Sequence, residues 1–353
     1  MDGRRTTIKD IAEYCGVSAG TVHNALNGKK GVSPAMREKI IAAAREHNFR
    51  INTVAASLKR KPLRIVVCLP GAAAEGRFYY TYVWQGVRQY FAEMNDLNID
   101  LIELPFYNGS PNGQSSELID VLKRYNNEIS GLITVGMNED DENLRRSIER
   151  YNELNIPVVL TCDDISASTR LAVVQPDYEV TGRIAAELLA SQTTAGDTIM
   201  ILAGDQLIPS HYLVTGGFEK YLAENNQSLK LAKVYGYHNS EDTARKIREL
   251  LRNHTDITAV FSVTSRISVL MSNILAESGM AGKIRFVGSD IFPENVESMK
   301  QGVMHNIMYK NPSRQAWLAA KTLTDFLLRG DKPLEDKILT ESNVIFRSGL
   351  HMY

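Results

Sequence analysis

Between Thr6 and Ser33 the apolar side chains fall first at Ile8, Ile11, Ala12 and Cys15, the i, i+3, i+4, i+7 spacing of one helix face. Gly16 follows, where a helix can end in a left-handed residue, and Ser18 is placed to cap a second helix. Val22, Ala25 and Leu26 share one face of that second helix. Its other face carries Gly20, Thr21, His23, Asn24 and Asn27, small or hydrogen-bonding groups without fixed charge. Two helices joined through a short turn with glycine make a helix-turn-helix, whose second helix enters the major groove of DNA. A plain helical hairpin inside a core has the same periodicity. Ser33-Pro34 reads as an N-cap followed by proline at the first helical position, opening a third helix to about His47. Its Met36, Ile40 and Ala44, four residues apart, close a three-helix core. Past it, Asn52 can cap a helix of two turns bearing Val54, Ala55 and Leu58, ended by Pro62. So short a helix is marginal alone. It is either a flexible linker or a hinge helix that forms on DNA and presses Leu58 between base steps in the minor groove.

From residue 63 the pattern changes to short β-rich runs alternating with helical stretches. Arg64–Leu69, Ile99–Leu104, Gly131–Val135 and Pro157–Thr161 read as buried parallel strands, with helices about 82–95, 114–127 and 141–154 between them. A second series follows at Asp197–Ala203, Leu229–Gly236, Ile257–Val263, Ile284–Gly288 and Met304–Met308. Two βαβ series in succession predict an α/β fold of two doubly wound subdomains with parallel sheets. Ligands bind such folds at the carboxyl ends of strands, so a cleft between two subdomains sets two binding edges face to face.

Charge sharpens the division. Residues 1–61 hold twelve Lys or Arg and five Asp or Glu, near +7, while the whole chain of 353 residues is −1. The remaining 28 basic and 36 acidic residues therefore leave the body at −8. Phosphate neutralisation supplies most non-specific DNA affinity, and the cationic excess sits on the helix-turn-helix segment. At 44% hydrophobic and 23% charged the whole chain has an ordinary globular composition, and it is long enough for two or three domains. The N-terminus is charged from residue 2 and has no apolar core for a signal peptide, so the cytoplasm is expected. Cys15, Cys68 and Cys162 are odd in number and widely spaced, fitting buried thiols better than a disulfide frame or a metal site.

Catalytic chemistry is not written in the usual motifs. There is no GxxxxGK[ST], no GxGxxG after the first strand, no HExxH and no nucleophile elbow, and no cofactor is expected. Asp163-Asp164 is an acidic pair just past a strand end without a visible base–nucleophile partner. Phe78 through Trp84 is an aromatic cluster, either helix core or a stacking wall for a planar or sugar-like ligand.

Head and body together resemble the lactose repressor (LacI/GalR) family. The segments TIKDIAEYCGVSAGTVHNALNG, VSPAMREKIIAAAREHNF and NTVAASL follow that family's headpiece and hinge almost continuously. The body is similar, more loosely, to the periplasmic sugar-binding-protein fold that the family uses for effector binding and dimerisation. The resemblance implies a headpiece at 1–50, a hinge at 51–62 and a core at 63–353. It divides the core into a first subdomain of about 63–174 plus 310–338 and a second of about 177–306 plus 340–353. It places Ala19, Gly20, His23 and Asn24 at base-reading positions, Asn27 and Ser33 near phosphates, and Ala55 with Leu58 at the minor groove. Thr7, Ser18, Thr21 and Asn52 complete the DNA-facing set. Family members usually carry Ser-Arg where this chain has His23-Asn24, and proline where it has Ile51.

The implied effector pocket departs further. Val214 stands where arginine is common, Thr264-Ser265 where Asn-Asp is common, and Lys310 where glutamine is common, while Asp290 is retained. Tyr79, Tyr80, Asp163 and Asp164 occupy the matching rim of the first subdomain. Asp290 is expected to hold a polyol edge, and Lys310 either to meet an anionic ligand or to pair with Asp290. The implied protein is a cytoplasmic homodimeric repressor, without membrane association, released or engaged by a sugar or sugar derivative. A regulator governed by a protein partner, and a solute-binding protein without DNA function, are the competing readings.

Overall fold

The computed structural model describes residues 6–26, 31–47, 61–107, 113–138, 140–165, 168–225 and 228–353. Asn27, Asn52, Ala55 and Leu58, and with them the hinge helix, lie outside the described residues.

In the head, α1 (Ile8–Cys15) opens on a capping box: Thr7 Oγ1 accepts from the Asp10 N–H at 3.4 Å, and Asp10 Oδ2 accepts from the Thr7 N–H at 2.6 Å. Gly16 ends it at φ 71°, a conformation that costs a residue with a Cβ. Two further helices, α2 (Ala19–Leu26) and α3 (Pro34–Glu46), complete the bundle. Ile11, Cys15, Val22, Ala25, Ile40 and Ala43 are buried together between the three. Full burial of a large aliphatic side chain stabilises by about 1.5–3 kcal/mol, so a core this small needs its caps. The Arg37 guanidinium supplies one, donating to the Ala25 carbonyl at 2.6 Å where α2 ends and a cation is favoured.

The body contains two six-stranded sheets. The first runs β1 (Leu63–Pro70), β2 (Ile99–Phe106), β3 (Gly131–Thr134), β4 (Val158–Thr161) and β5 (Ala172–Pro176), joined near the C-terminus by β11 (Lys337–Thr340). Its order is β11-β5-β4-β3-β1-β2, parallel throughout. The second comprises β6 (Thr198–Gly204), β7 (Lys230–Tyr235), β8 (Ile257–Ser262), β9 (Arg285–Ser289), β10 (Asn306–Tyr309) and β12 (Asn343–Phe346). Its order is β12-β10-β9-β8-β6-β7, with only the β10/β12 pair antiparallel. Strands β1, β3, β4 and β6 are buried nearly end to end because helices cover both faces, which is why they read as unbroken apolar runs.

The covering helices of the first sheet are α4 (Tyr80–Glu93), α5 (Gln114–Arg124) and α6 (Glu142–Glu153). Those of the second are α7 (Tyr178–Ala190), α8 (Pro209–Asn225), α9 (Ser240–Asn253), α10 (Ser265–Glu277) and α11 (Pro293–Lys300). After β10 the chain returns through α12 (Pro312–Arg329), whose Ala316, Ala319 and Leu323 join the core of the first sheet. The chain thus passes between the sheets three times, after β5, β10 and β11.

All nine strands expected from the apolar runs are present, with ends shifted by one or two residues. Three strands were not anticipated: β5, β11 and β12. β11 and β12 lie at sheet edges with alternating or mostly exposed side chains, so no apolar run marks them, while β5 is buried but its apolar run is cut short by Gln175-Pro176.

Candidate functional site

Two surfaces carry the candidate chemistry. On the head, Gly20 and His23 are exposed on α2, and Ala19, Thr21 and Asn24 are half-buried beside them. Ser18 Oγ accepts from the Thr21 N–H at 3.1 Å and lies 2.9 Å from Thr21 Oγ1, fixing the first turn of α2. Ser33, also exposed, accepts from the Met36 N–H at 3.4 Å and caps α3. The hydroxyls of Thr7, Ser18 and Ser33 therefore all mark helix N-termini, where partial positive charge favours an anion such as a phosphate.

In the body, a cavity of about 400 Å³ opens among loops that follow the carboxyl ends of strands in both sheets. Tyr79, Tyr80, Asp163, Thr264, Asp290 and Lys310 line it. Asp164 and Val214 do not, and both expectations are corrected here. Asp164 sits directly after Asp163, but its Oδ2 accepts from Arg170 at 2.6 Å, and Arg170 also reaches Asp336 at 3.2 Å. Val214 lies between α7 and α8, buried with Tyr178 and Phe218. Those helices approach so closely that a Cβ on Gly182 would stand 1.9 Å from the Val214 carbonyl oxygen, and one on Gly217 2.1 Å from that of Glu179. That contact fixes residue 214 in the helix interface.

The two cavity carboxylates are held by protein donors. Asp163, on the loop after β4, accepts from the Ser210 N–H at 2.7 Å and the Ser210 hydroxyl at 3.2 Å. Ser210 belongs to the first turn of α8, so a residue of the first subdomain caps a helix of the second. Burial pushes the Asp163 carboxyl up to about 6, against the pull of the Ser210 bonds. Asp290, 1% exposed and at φ 63°, accepts from the Ser265 hydroxyl at 2.7 Å, the Lys310 ammonium at 2.9 Å and the Lys310 N–H at 3.2 Å. An ionised carboxylate has roughly four acceptor directions. Three are occupied, so the Asp290 expected to grip a polyol edge instead anchors Lys310. Two further contacts cross between the subdomains: Arg77 with Glu294 at 2.7 Å, and Phe78 against Phe292 with ring centres 5.1 Å apart.

Aromatic side chains form much of the wall. Tyr79 and Tyr80 meet edge to face at 5.5 Å, and burial pushes both hydroxyls well above the usual phenol range. The Tyr178 hydroxyl donates to the Cys162 carbonyl at 2.6 Å and seals the base of the wall. Sequence reasoning did not single out Tyr178, Ser210, His211, Tyr237 or Arg266, which also line the cavity. His211 Nδ1 accepts from the Asp205 N–H at 3.0 Å, its ring packs at 4.9 Å from Tyr237, and burial with the nearby Lys310 charge holds it neutral down to about 3. The one available signal was Ile208-Pro209-Ser210-His211, a helix start just past a strand end. Among the described residues no group of three His, Cys, Asp or Glu is arranged to hold a metal ion.

Two family profiles match the chain: the lacI family of bacterial regulatory proteins over residues 7–52, and the periplasmic binding protein domain over residues 77–332. Catabolite control protein A of Priestia megaterium is 24% identical, covering 74% of this chain and 75% of that protein. The ribose operon repressor of Haemophilus influenzae is 25% identical over 78% of each. The transcriptional regulator MalR of Clostridium butyricum is 25% identical over 87% and 85%. Among solved structures, a putative LacI transcriptional regulator from Bacteroides fragilis superposes with a TM-score of 0.72 at 18% identity, covering 83% of this chain and 100% of that one. A solute-binding protein from Burkholderia graminis in complex with D-arabinose reaches 0.73 at 17% identity, covering 83% and 98%, a likeness of fold. With a head matched by the lacI profile and a two-sheet body matched by the periplasmic binding protein profile, the chain belongs to the lacI family of bacterial regulatory proteins, a DNA-binding transcription regulator built on a periplasmic binding protein domain.

Proposed function

We propose that this regulator is a cytoplasmic homodimeric repressor whose operator affinity is set by a small carbohydrate held in the body cavity. The observation that carries the reading is the aromatic-walled cavity at the carboxyl ends of strands from both sheets, in a chain that also carries a lacI-family head. A relative named as a ribose operon repressor and a structural neighbour holding D-arabinose support a sugar-class effector. Ala19, Gly20, His23 and Asn24 read bases, while Thr7, Ser18, Thr21, Asn27 and Ser33 face phosphates. Asn52, Ala55 and Leu58 act at the minor groove. Tyr79, Tyr80, Asp163, Thr264, Asp290 and Lys310 form the effector site. A ligand contacting both rims shifts the body toward the form it binds more tightly, by its differential affinity and no more. Linkage then requires operator DNA to change effector affinity by the same factor in return.

The test selects operators from a random duplex library with the full chain and measures their affinity across a salt series. The selected site is a rough palindrome, as a two-fold dimer requires. Its log affinity falls linearly with log salt, steeply because each head makes several phosphate contacts. Equal binding to random duplex, or no salt dependence, refutes the DNA half of the reading. A sugar panel added to the operator complex then identifies the effector by release or reinforcement.

A further inference from the structure

We propose that the cavity floor is a donor edge formed by Lys310 Nζ and His211 Nε2–H, which selects an effector by its carboxylate, so that the ligand is a sugar acid. The inference rests on the carbohydrate reading above and narrows it.

The cavity lining holds two carboxylates, and both are largely engaged by protein donors. Asp163 is taken by both donors of Ser210, and Asp290 by Ser265 and by the backbone and side chain of Lys310. Five protein donors, two on Asp163 and three on Asp290, already occupy most of the acceptor directions that a neutral sugar's hydroxyl protons would use. Donors remain instead. An ammonium has three N–H bonds. Asp290 takes one at 2.9 Å and the Val263 carbonyl a second at 3.4 Å, which leaves a third on a residue lining the cavity.

His211 is the second donor, and its tautomer is fixed by its surroundings. Nδ1 accepts from the Asp205 N–H, so the proton of the neutral ring resides on Nε2. Gly204 keeps the ring in place from behind: at φ 73°, a Cβ there would stand 2.7 Å from Nδ1. Tyr237 braces another side. His211 is 8% exposed and lines the cavity. The carboxylates already present are balanced locally: Asp290 by Lys310, and Asp163 by the N-terminal turn of α8. A carboxylate only accepts and carries the charge that Lys310 favours, so it answers both donors at once.

The experiment measures thermal shift and titration calorimetry on the full chain with D-glucuronate, D-galacturonate and D-gluconate, beside the neutral D-glucose and D-galactose. At least one acid binds ten-fold or more tightly than its neutral parent. Lys310→Gln, which can still donate to Asp290, abolishes that preference. His211→Phe, which also leaves the Asp205 N–H without its acceptor and lowers the melting temperature, lowers acid affinity at least ten-fold while neutral-sugar affinity is unchanged. His211→Gln, which can accept from the Asp205 N–H and donate from its amide, restores most of the loss. Rescue by Gln but not Phe is a pattern that a packing role would not give. Neutral sugars binding as tightly as the acids overturn the inference while leaving a carbohydrate effector standing. Binding by none of the three acids overturns the inference, and the wider sugar panel on the operator complex then decides the carbohydrate reading separately. Unchanged acid affinity in His211→Phe removes His211 from the donor edge and overturns the inference as stated.

Discussion

Removing the charge of Asp163 should change how the stability of the body depends on pH. In the folded chain this carboxyl is pushed up to about 6 from an ordinary value of 3.8, chiefly by burial. One pKa unit corresponds to about 1.4 kcal/mol, so keeping Asp163 ionised in the fold costs about 3 kcal/mol above pH 6. Between those two values the folded chain binds the proton and the unfolded chain does not. Stability attributable to this group is therefore greatest below 3.8, falls as pH rises through the window, and is flat above 6. Asp163→Asn has no such titration, while its side-chain oxygen can still accept from the Ser210 N–H. The difference in unfolding free energy between variant and wild type should then move by about 2 kcal/mol in favour of the variant from pH 4.5 to 7.5. Every other titrating group is common to both proteins and cancels. Urea unfolding followed by tryptophan fluorescence is the assay, because the chain's two tryptophans, Trp84 and Trp317, both lie in the body. A difference constant from pH 4.5 to 7.5 would refute the argument that Asp163 is held ionised against its burial.

Four further outcomes follow from named contacts. Gly182→Ala would set a Cβ 1.9 Å from the Val214 carbonyl oxygen unless the helices shift, and should destabilise the body by about 1–3 kcal/mol in the same urea assay. Lys310→Met leaves Asp290 a buried carboxylate without its counter-ion, at a cost of about 3–5 kcal/mol; the double variant with Asp290→Asn should recover most of it, and no recovery would argue against the pair. Thr7→Ala removes the capping box of α1 and should cost the head about 1 kcal/mol, read as a lower melting temperature of its helical circular dichroism. Leu58→Ala should weaken specific operator binding at matched salt and leave effector binding unchanged, since a wedge between base steps acts only in the DNA complex.

Much of the architecture was legible because it is local. Ile8, Ile11, Ala12 and Cys15 declare a helix face within eight residues, and the buried strands β1, β3, β4 and β6 are unbroken apolar runs. Strand β11 gives no such signal, since it is defined by pairing with β5 some 160 residues earlier. The site was legible only in part, for a related reason. Asp163 and Asp164 are neighbours, yet the left-handed backbone at Cys162 (φ 68°) precedes them, and one meets Ser210 while the other meets Arg170. Nothing in the dipeptide says which. The family position of Val214 suggested a ligand contact, but Gly182 and Gly217 bring two helix backbones together and draw that residue into the core. His211 was missed because its role depends on an N–H six residues back and on Tyr237, a distance no periodicity spans.

The order of strands also bears on how the chain is made. Among the described residues the apolar core of the head is built from its own three helices and their turns, so it can close while the rest of the polypeptide is still being synthesised. The body cannot finish so early. Its first sheet lacks α12 and β11 until residue 340 exists, and its second lacks β12 until residue 346. Up to that point β5 and β10 each present an open edge of unpaired backbone groups, the template on which strands of other chains add. A product interrupted near residue 311 would thus carry a folded DNA-binding head on two unfinished sheets. Such a fragment joins the capacity to occupy an operator to a tendency to aggregate, and the last forty residues are what separate that fragment from a regulator.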